Sequence, residues 1–334
     1  MNMPAKKFKV VVSDFISEPL DPERRILGNL ADVVALDGFS EEDVAGRIED
    51  AHAIMLYHHM SISRKTIDRL VDCKLIVRCG VGYDNIDCAA ARERGIAVAN
   101  VPDYGTEEVA DSAIALMMSL ARGTHRLNSL LRAGIGPWHY TQVVPLHRLR
   151  ERTFGIVGLG RIGTAAALRA KALGMKVVYF DPYKPYGYDK ALGIARADSL
   201  DELLPQSHVL SLHCALTEET HHLIDGQAMS KLPFGAYLVN TARGAVVDTS
   251  ALPALLASGQ LSGAGIDVLA QEPPSSDDPL IAAWRDPEHA AHHNLIVNPH
   301  LAFYSEEGLM DMRVKGSHAC LKALRGQPIP NLVN

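Results

Sequence analysis

The sequence predicts an α/β fold made of two Rossmann/flavodoxin-like domains, and three observations predict it. Short apolar runs alternate with polar–apolar segments of helical length, the pattern of parallel sheets covered by helices. Residues 154–181 read as strand, glycine turn, helix and second strand. The length of 334 residues favours two domains of ordinary size, and a hydrophobic content of 47% gives each a core.

In chain order, Phe8–Val12 and the apolar runs at 32–36, 53–57, 75–77 and 97–99 are expected strands of a first unit, with helical segments at 40–49 and 63–70. The loop 78–87, RCGVGYDNID, follows the fourth strand, where ligands of open α/β sheets collect. Gly80 and Gly82 would expose N–H groups around Val81 and Gly82 to an anion such as a carboxylate, although a tight turn with no ligand explains the same glycines. Pro102 closes the fifth strand, and 106–120, rich in Ala, Leu and Met, is an expected long helix. Residues 123–152 show no clear period and read as an exposed arm whose Trp138 suits a dimer contact, although an isolated Trp is as often packed into its own domain. A second unit follows with six strands, at 154–157, 177–180, 209–212, 236–239, 263–266 and 295–297. It also holds a helix at 252–257 and a long loop at 272–294 with one helix near 279–284. The last helix, 305–324, is expected to pack back on the first unit.

Gly158, Gly160 and Gly163 have the G-x-G-x-x-G spacing. Gly158 lets the chain turn, Gly160 leaves room for a pyrophosphate, and Gly163 lets the helix approach the strand, so that the helix N-terminus can hold phosphates. Asp181 lies 23 residues past Gly158, where a carboxylate accepts hydrogen bonds from an adenine ribose and repels a 2′-phosphate. That selects NAD over NADP; Lys184 is the feature pulling the other way. Glycines at this spacing also occur in ordinary turns, so the agreement of strand, helix and acid carries the reading.

The net charge of −6, with no basic block, argues against nucleic acid and against an anionic membrane. Five cysteines, Cys73, Cys79, Cys88, Cys214 and Cys320, form no C-x-x-C pair, which suggests neither zinc nor a disulfide framework and fits a reducing cytoplasm. The N-terminus carries too few apolar residues for a signal-peptide core, and no run approaches the length of a membrane span. The pairs His58-His59, His221-His222 and His292-His293 lack acids at helical spacing and are expected to be surface or loop histidines, with no metal.

Three motifs follow strands of the second unit: Asn240-Thr241-Ala242-Arg243-Gly244, then Asp267-Val268 leading to Glu272-Pro273, then Asn298-Pro299-His300. Reducing a 2-keto acid by hydride needs a cation for the carboxylate and carbonyl, an acid for the developing alkoxide, and an acceptor to orient that acid. Arg243, His300 and Glu272 supply those three. Singly, each has a plain structural explanation: a surface arginine, a hydrogen-bonded histidine, a loop acid.

These motifs, with NVPDYGTEEVADSA, LHCALTEETHHLI and FYSEE, give a resemblance to the D-isomer-specific 2-hydroxyacid dehydrogenases, closest to their C-terminal-binding protein (CtBP)-like branch, over residues 57–312. The resemblance implies a split substrate domain, 1–102 with 302–334, an inserted NAD-binding domain, 103–301, and a homodimer through 123–152. It implies that Arg243 binds substrate, His300 is the acid/base and Glu272 its partner, and that the backbone of Val81 and Gly82 receives the substrate carboxylate. Arg161 and Ile162 then meet the pyrophosphate, Asp181 and Pro182 the ribose, and Asp267 the nicotinamide amide. Cys214, Thr220, Thr241, Ala242, Arg243 and His300 line the cofactor. Arg78 and His58 match positions facing the substrate, Phe303 stands where the branch has Trp, and Glu151 stands where the family often has Gly. Tyr57 and Tyr104 are further candidates to line the substrate pocket. The resemblance leaves open an NADH-responsive protein-binding scaffold with residual dehydrogenase activity, and phosphite oxidation by the same Arg, Glu and His.

Overall fold

The computed structural model describes residues 7–334, so the basic start of the chain lies outside the described residues. The chain divides into two compact units, one formed by the chain up to Gly105 together with Ser305–Asn334, the other by Thr106–Tyr304. Each is built on a parallel sheet.

The first unit contains β1 (Phe8–Val12), β2 (Ala31–Ala35), β3 (Ala53–Leu56), β4 (Leu75–Arg78) and β5 (Ala97–Asn100), in the spatial order β2-β1-β3-β4-β5. Every residue of β3 and β4 is buried, as a sheet covered on both faces requires. Expected helices shorten here: 40–49 contracts to Glu41–Val44, started by a capping box between Ser40 and Asp43, and 63–70 contracts to Arg64–Ile67. The final helix, Glu306–Leu324, begins one residue past Ser305, whose hydroxyl accepts from the Gly308 N–H at 2.8 Å. It packs on this unit through a fully buried carboxylate. Glu23 accepts from Arg313 Nε at 2.7 Å and Nη2 at 2.8 Å, and Nη2 also donates to the Pro19 carbonyl at 3.1 Å.

The second unit contains β6 (Thr153–Val157), β7 (Lys176–Phe180), β8 (Ala195–Arg196), β9 (Val209–Leu212), β10 (Ala236–Asn240), β11 (Leu261–Ile266) and β12 (Leu295–Val297), ordered β12-β11-β10-β9-β6-β7-β8. Seven strands replace the expected six. The addition, β8, has two residues pairing with Val178 and Tyr179 at the sheet edge, too short for any periodic signal. Val157 is level with Phe180 on one side and Leu212 on the other, so the ends of β6, β7 and β9 form one rim. The helix Thr106–Arg122 crosses β11 where the strand has no side chains: a Cβ on Gly263 would meet Leu120 Cδ2 at 2.8 Å, and one on Gly265 would meet Leu116 Cβ at 3.0 Å.

The region 123–152 is more ordered than its sequence suggests. It contains the helix Thr124–Arg132 and a 3-10 turn at Tyr140–Val143. The helix is short and buries one leucine, Leu130, which leaves little period to read. Glu151 sits at φ +67°, the left-handed conformation that favours glycine. Among the described residues, no helix is long and apolar enough to cross a membrane.

Truncating Glu23 to Ala strands the Arg313 guanidinium in the first unit; unfolding by denaturant is expected to show a loss of about 3–5 kcal/mol. The double change Glu23→Met with Arg313→Leu is expected to cost less than that single change.

Candidate active site

In the Thr106–Tyr304 unit, strand order reverses between β6 and β9, the switch point at which open α/β sheets bind ligands. Gly158 leaves β6 at φ +87°, and a Cβ there would lie 2.6 Å from the Cys214 backbone nitrogen beyond β9. A Cβ at Gly163 would meet the Gly158 carbonyl oxygen at 2.2 Å. Backbone touches backbone at both positions. Gly160 differs, since a Cβ there meets nothing within 4 Å. It starts the helix Arg161–Ala172 with no side-chain cap, and since Thr164 is the first to donate back to Gly160, the N–H groups of Arg161, Ile162 and Gly163 lack an acceptor within the helix.

Asp181 ends β7 against this turn. Its Oδ2 accepts from the Leu159 N–H at 2.8 Å and its Oδ1 from the Tyr183 N–H at 3.0 Å, with Pro182 exposed beside it. Lys184 extends over the Tyr188 ring at 5.0 Å. Burial pushes the Cys214 thiol up to about 11, so it packs as a neutral group. The Thr220 hydroxyl donates to the Ala215 carbonyl at 2.7 Å and accepts from the Thr217 N–H at 2.8 Å. Thr241 Oγ1 is buried with no partner among the described residues. The open side of Gly160, the uncapped helix start and this orphan hydroxyl fit a dinucleotide.

The loops after β10, β11 and β12 hold Arg243, Glu272 and His300, the three candidates from the sequence. Buried Asn240 folds the first, its Nδ2 donating to the Arg243 carbonyl at 2.9 Å and its Oδ1 accepting from the Ala242 N–H at 3.0 Å. Arg243 Nη1 donates to the Ala242 carbonyl at 2.8 Å. A Cβ on Gly244 would fall 1.9 Å from the Leu269 carbonyl carbon, so the loops after β10 and β11 are in backbone contact. Buried Asp267 then catches the third loop. Its Oδ1 accepts from the N–H groups of Leu301 at 2.9 Å and Ala302 at 3.1 Å, and its carbonyl accepts from the His300 N–H at 2.8 Å. Burial raises the Asp267 carboxyl, while the Ala302 and Leu301 N–H groups hold it down.

His300 stands at φ +55°, and its Nδ1–H donates to Glu272 Oε2 at 2.8 Å. The other Glu272 oxygen accepts from the Leu269 N–H at 2.7 Å. Phe303 closes edge-on to the imidazole at 6.0 Å, and Ser112 Oγ donates to the Ala302 carbonyl at 3.2 Å, tying the loop to the helix Thr106–Arg122. The roles of Asn240, Gly244 and Ser112 are absent from the sequence reading, because each acts on a residue whose proximity only the fold creates. All three lie inside motifs already quoted, Asn240 and Gly244 at the ends of one and Ser112 in NVPDYGTEEVADSA, but spacing alone gave them no task.

In the first unit, the carboxyl ends of β1, β3 and β4 gather the remaining candidates. Asp14 accepts from the N–H groups of Tyr57 and His59, each at 2.8 Å, which fixes the turn bearing His58. The His58 ring lies 4.4 Å from that of Phe15. Arg78 Nη1 donates to the Cys79 carbonyl at 3.1 Å, in space that a Cβ on Gly80 would occupy. The Val81 carbonyl accepts from Asn100 Nδ2 at 2.7 Å, which anchors the loop carrying Val81 and Gly82. Tyr57 is fully buried in the core, which corrects its expected place on a pocket wall.

The sequence model described as D-isomer specific 2-hydroxyacid dehydrogenase, NAD binding domain, matches residues 114–302. The chain belongs to the D-isomer specific 2-hydroxyacid dehydrogenase family. It is an NAD-dependent oxidoreductase acting on the CH–OH group. This dehydrogenase is 37% identical to glyoxylate reductase of Korarchaeum cryptofilum over 297 residues, 88% of this chain and 86% of that protein. It is 33% identical to C-terminal-binding protein 1 of Caenorhabditis elegans over 91% of its own length, but spans only 42% of that protein. The crystal structure of D-lactate dehydrogenase from Aquifex aeolicus, complexed with NAD and lactic acid, superposes with a TM-score of 0.84 at 29% identity, covering 97% of this chain and 98% of that one.

Two expectations follow for this dehydrogenase. Gly160→Ala should fold normally and weaken NADH binding about tenfold, whereas Gly163→Ala should lose about 1–3 kcal/mol of stability by overpacking; fluorescence titration and denaturant unfolding separate them. Burial pulls His213, whose Nδ1 has no partner among the described residues, from 6.5 down to about 4. The unfolded chain takes up that proton first, so stability falls as pH drops from about 6.5 to about 4, by up to about 3 kcal/mol. His213→Gln should flatten that slope in urea melts at stepped pH.

Proposed function

We propose that the protein interconverts a small 2-keto acid and its D-2-hydroxy acid, with His300 as the acid/base. The observation that carries this reading is the 2.8 Å hydrogen bond from His300 Nδ1 to Glu272 Oε2, since a carboxylate can only accept and so fixes the proton on Nδ1. Nε2 is then the nitrogen that passes a proton to the carbonyl oxygen in reduction and takes it back in oxidation. Arg243 holds the carboxylate and polarises the carbonyl, and Phe303 walls the site against water. In the first unit, Val81 and Gly82 offer backbone N–H groups to a carboxylate, and Arg78 and His58 are its further candidates for the substrate.

NAD(H), when bound, supplies or accepts the hydride. Gly158, Gly160, Arg161, Ile162 and Gly163 would hold its pyrophosphate, Asp181 and Pro182 its ribose, and Cys214, Thr220, Thr241, Ala242 and Asp267 its remaining length. Bound to two backbone N–H groups, Asp267 orients the His300 loop as well.

A homodimer through 123–152 is supported by exposed apolar side chains there: Trp138 is 87% and Tyr140 67% accessible, with Ile135 and Val144 also outward. Five free cysteines suit the reducing cytoplasm. The likeness to C-terminal-binding protein 1 supports a second reading, an NADH-responsive protein-binding scaffold with residual dehydrogenase activity. A scaffold has no use for the His300–Glu272 pair, which favours the enzyme.

A panel of 2-keto acids followed by NADH absorbance tests both. Turnover with at least one is expected, and His300→Ala should lower kcat by about 100- to 10,000-fold with NADH affinity unchanged. Wild-type protein inert toward the whole panel would leave the scaffold, and an unimpaired variant would remove His300 from the chemistry.

A further inference from the structure

A cleft of about 390 Å³ in the Thr106–Tyr304 unit lies apart from the loops that carry the reactive groups. His125 and Arg126 of helix Thr124–Arg132 form one wall; Trp284 and Arg285 at the end of helix Pro279–Arg285, with His292 and His293 of Ala291–Asn294, form the other. No acid lines it among the described residues.

The positive charge in this cleft is uncompensated. Arg126 Nε is buried without a hydrogen bond, and its Nη1 has only a long contact, 3.4 Å, to Asn294 Oδ1. His125 bridges two carbonyl oxygens, Ser119 at 3.0 Å and His293 at 2.9 Å, which ties the two walls together. His292 Nδ1–H donates to the Trp284 carbonyl at 2.8 Å, which leaves Nε2 at the other edge of the ring. His293 is held below its ordinary value by burial and by the charges of His292, Arg126 and His125. Of the acids nearest along the chain, Asp278 accepts from the Leu280 and Ile281 N–H groups, Asp286 accepts from that of Glu288, and Glu288 itself is exposed and does not line the cleft. The terminal nitrogens of Arg126, with that one long contact between them, are the donors it can offer to an anion in the cleft.

We propose that this cleft binds a phosphate dianion, either free or as the phosphomonoester of a small molecule. Arginine matches phosphate geometry with paired N–H donors, supplied here by Arg126 and Arg285, and Trp284 gives the remainder of a ligand a flat wall. The wall from Trp284 to His293 belongs to the connection between Glu272 and His300, and residues 292–293 lead through β12 directly to His300. An anion joining Arg126 to that connection therefore steadies the segment on which the acid/base pair hangs.

Calorimetric titration of the holoprotein with inorganic phosphate and with glycerol 3-phosphate tests this, with NADH saturating so that the glycine turn is filled. Binding above a chloride control of equal ionic strength is expected, weakened at least tenfold by Arg126→Gln and by Arg285→Gln. Arg285 is exposed, so its variant keeps the fold and remains informative if Arg126→Gln does not fold. Tenfold tighter binding of glycerol 3-phosphate would assign the phosphomonoester, and equal affinities would assign free phosphate. Binding no stronger than the chloride control, or equal binding by Arg285→Gln, overturns the proposal. So does dissociation of a dimer by Arg285→Gln with phosphate binding intact, which would give the cleft to an acid of a second copy.

Discussion

A single buried carboxylate determines how the loops after β11 and β12 are arranged in the Thr106–Tyr304 unit. Asp267 ends β11 and takes the N–H groups of Leu301 and Ala302, two residues that follow β12. A carboxylate out of water needs such donors, and here they come from the loop after β12, bent back over the end of β11. That bend holds His300 in a left-handed conformation and sets its ring against Glu272. The strain at His300 and the burial of Asp267 offset one another: the hydrogen bonds that satisfy the acid are the ones that hold the histidine.

Backbone contact through glycine recurs in this unit. Gly158 against Cys214, Gly163 against Gly158, Gly244 against Leu269, and Gly263 and Gly265 against the helix Thr106–Arg122 each remove a side chain so that two segments can meet. The result is a rim where loops from β6, β7, β9, β10, β11 and β12 share one end of the sheet. The other unit reaches its own rim differently, with Asp14 and Asn100 side chains pinning the turns that carry His58 and Val81.

What could be read in advance was local. The glycine spacing, Asp181 and the strands of both sheets lie in short stretches whose periodicity or residue type states the conformation directly, and the fold agrees with them. Arg243, Glu272 and His300 were visible as polar residues after apolar runs, and the structure joins Glu272 to His300 by a hydrogen bond. The missing parts depend on neighbours far away in sequence. Gly244 reads as a turn residue until Leu269 is beside it, Ser112 as a helix polar residue until Ala302 meets it, and Tyr57 as a cleft residue until the sheet buries it. The strand β8 was too brief to show alternation, and the helix Thr124–Arg132 buries too little to show a stripe.

The chain has two tryptophans, Trp138 and Trp284, and both fall in Thr106–Tyr304. Indole emission therefore watches one sheet and is blind to the other. Were the two units to melt separately, that optical signal would trace a single clean sigmoid and mimic an all-or-none transition, so a cooperative-looking fluorescence curve needs a companion such as far-ultraviolet dichroism before it speaks for the whole chain.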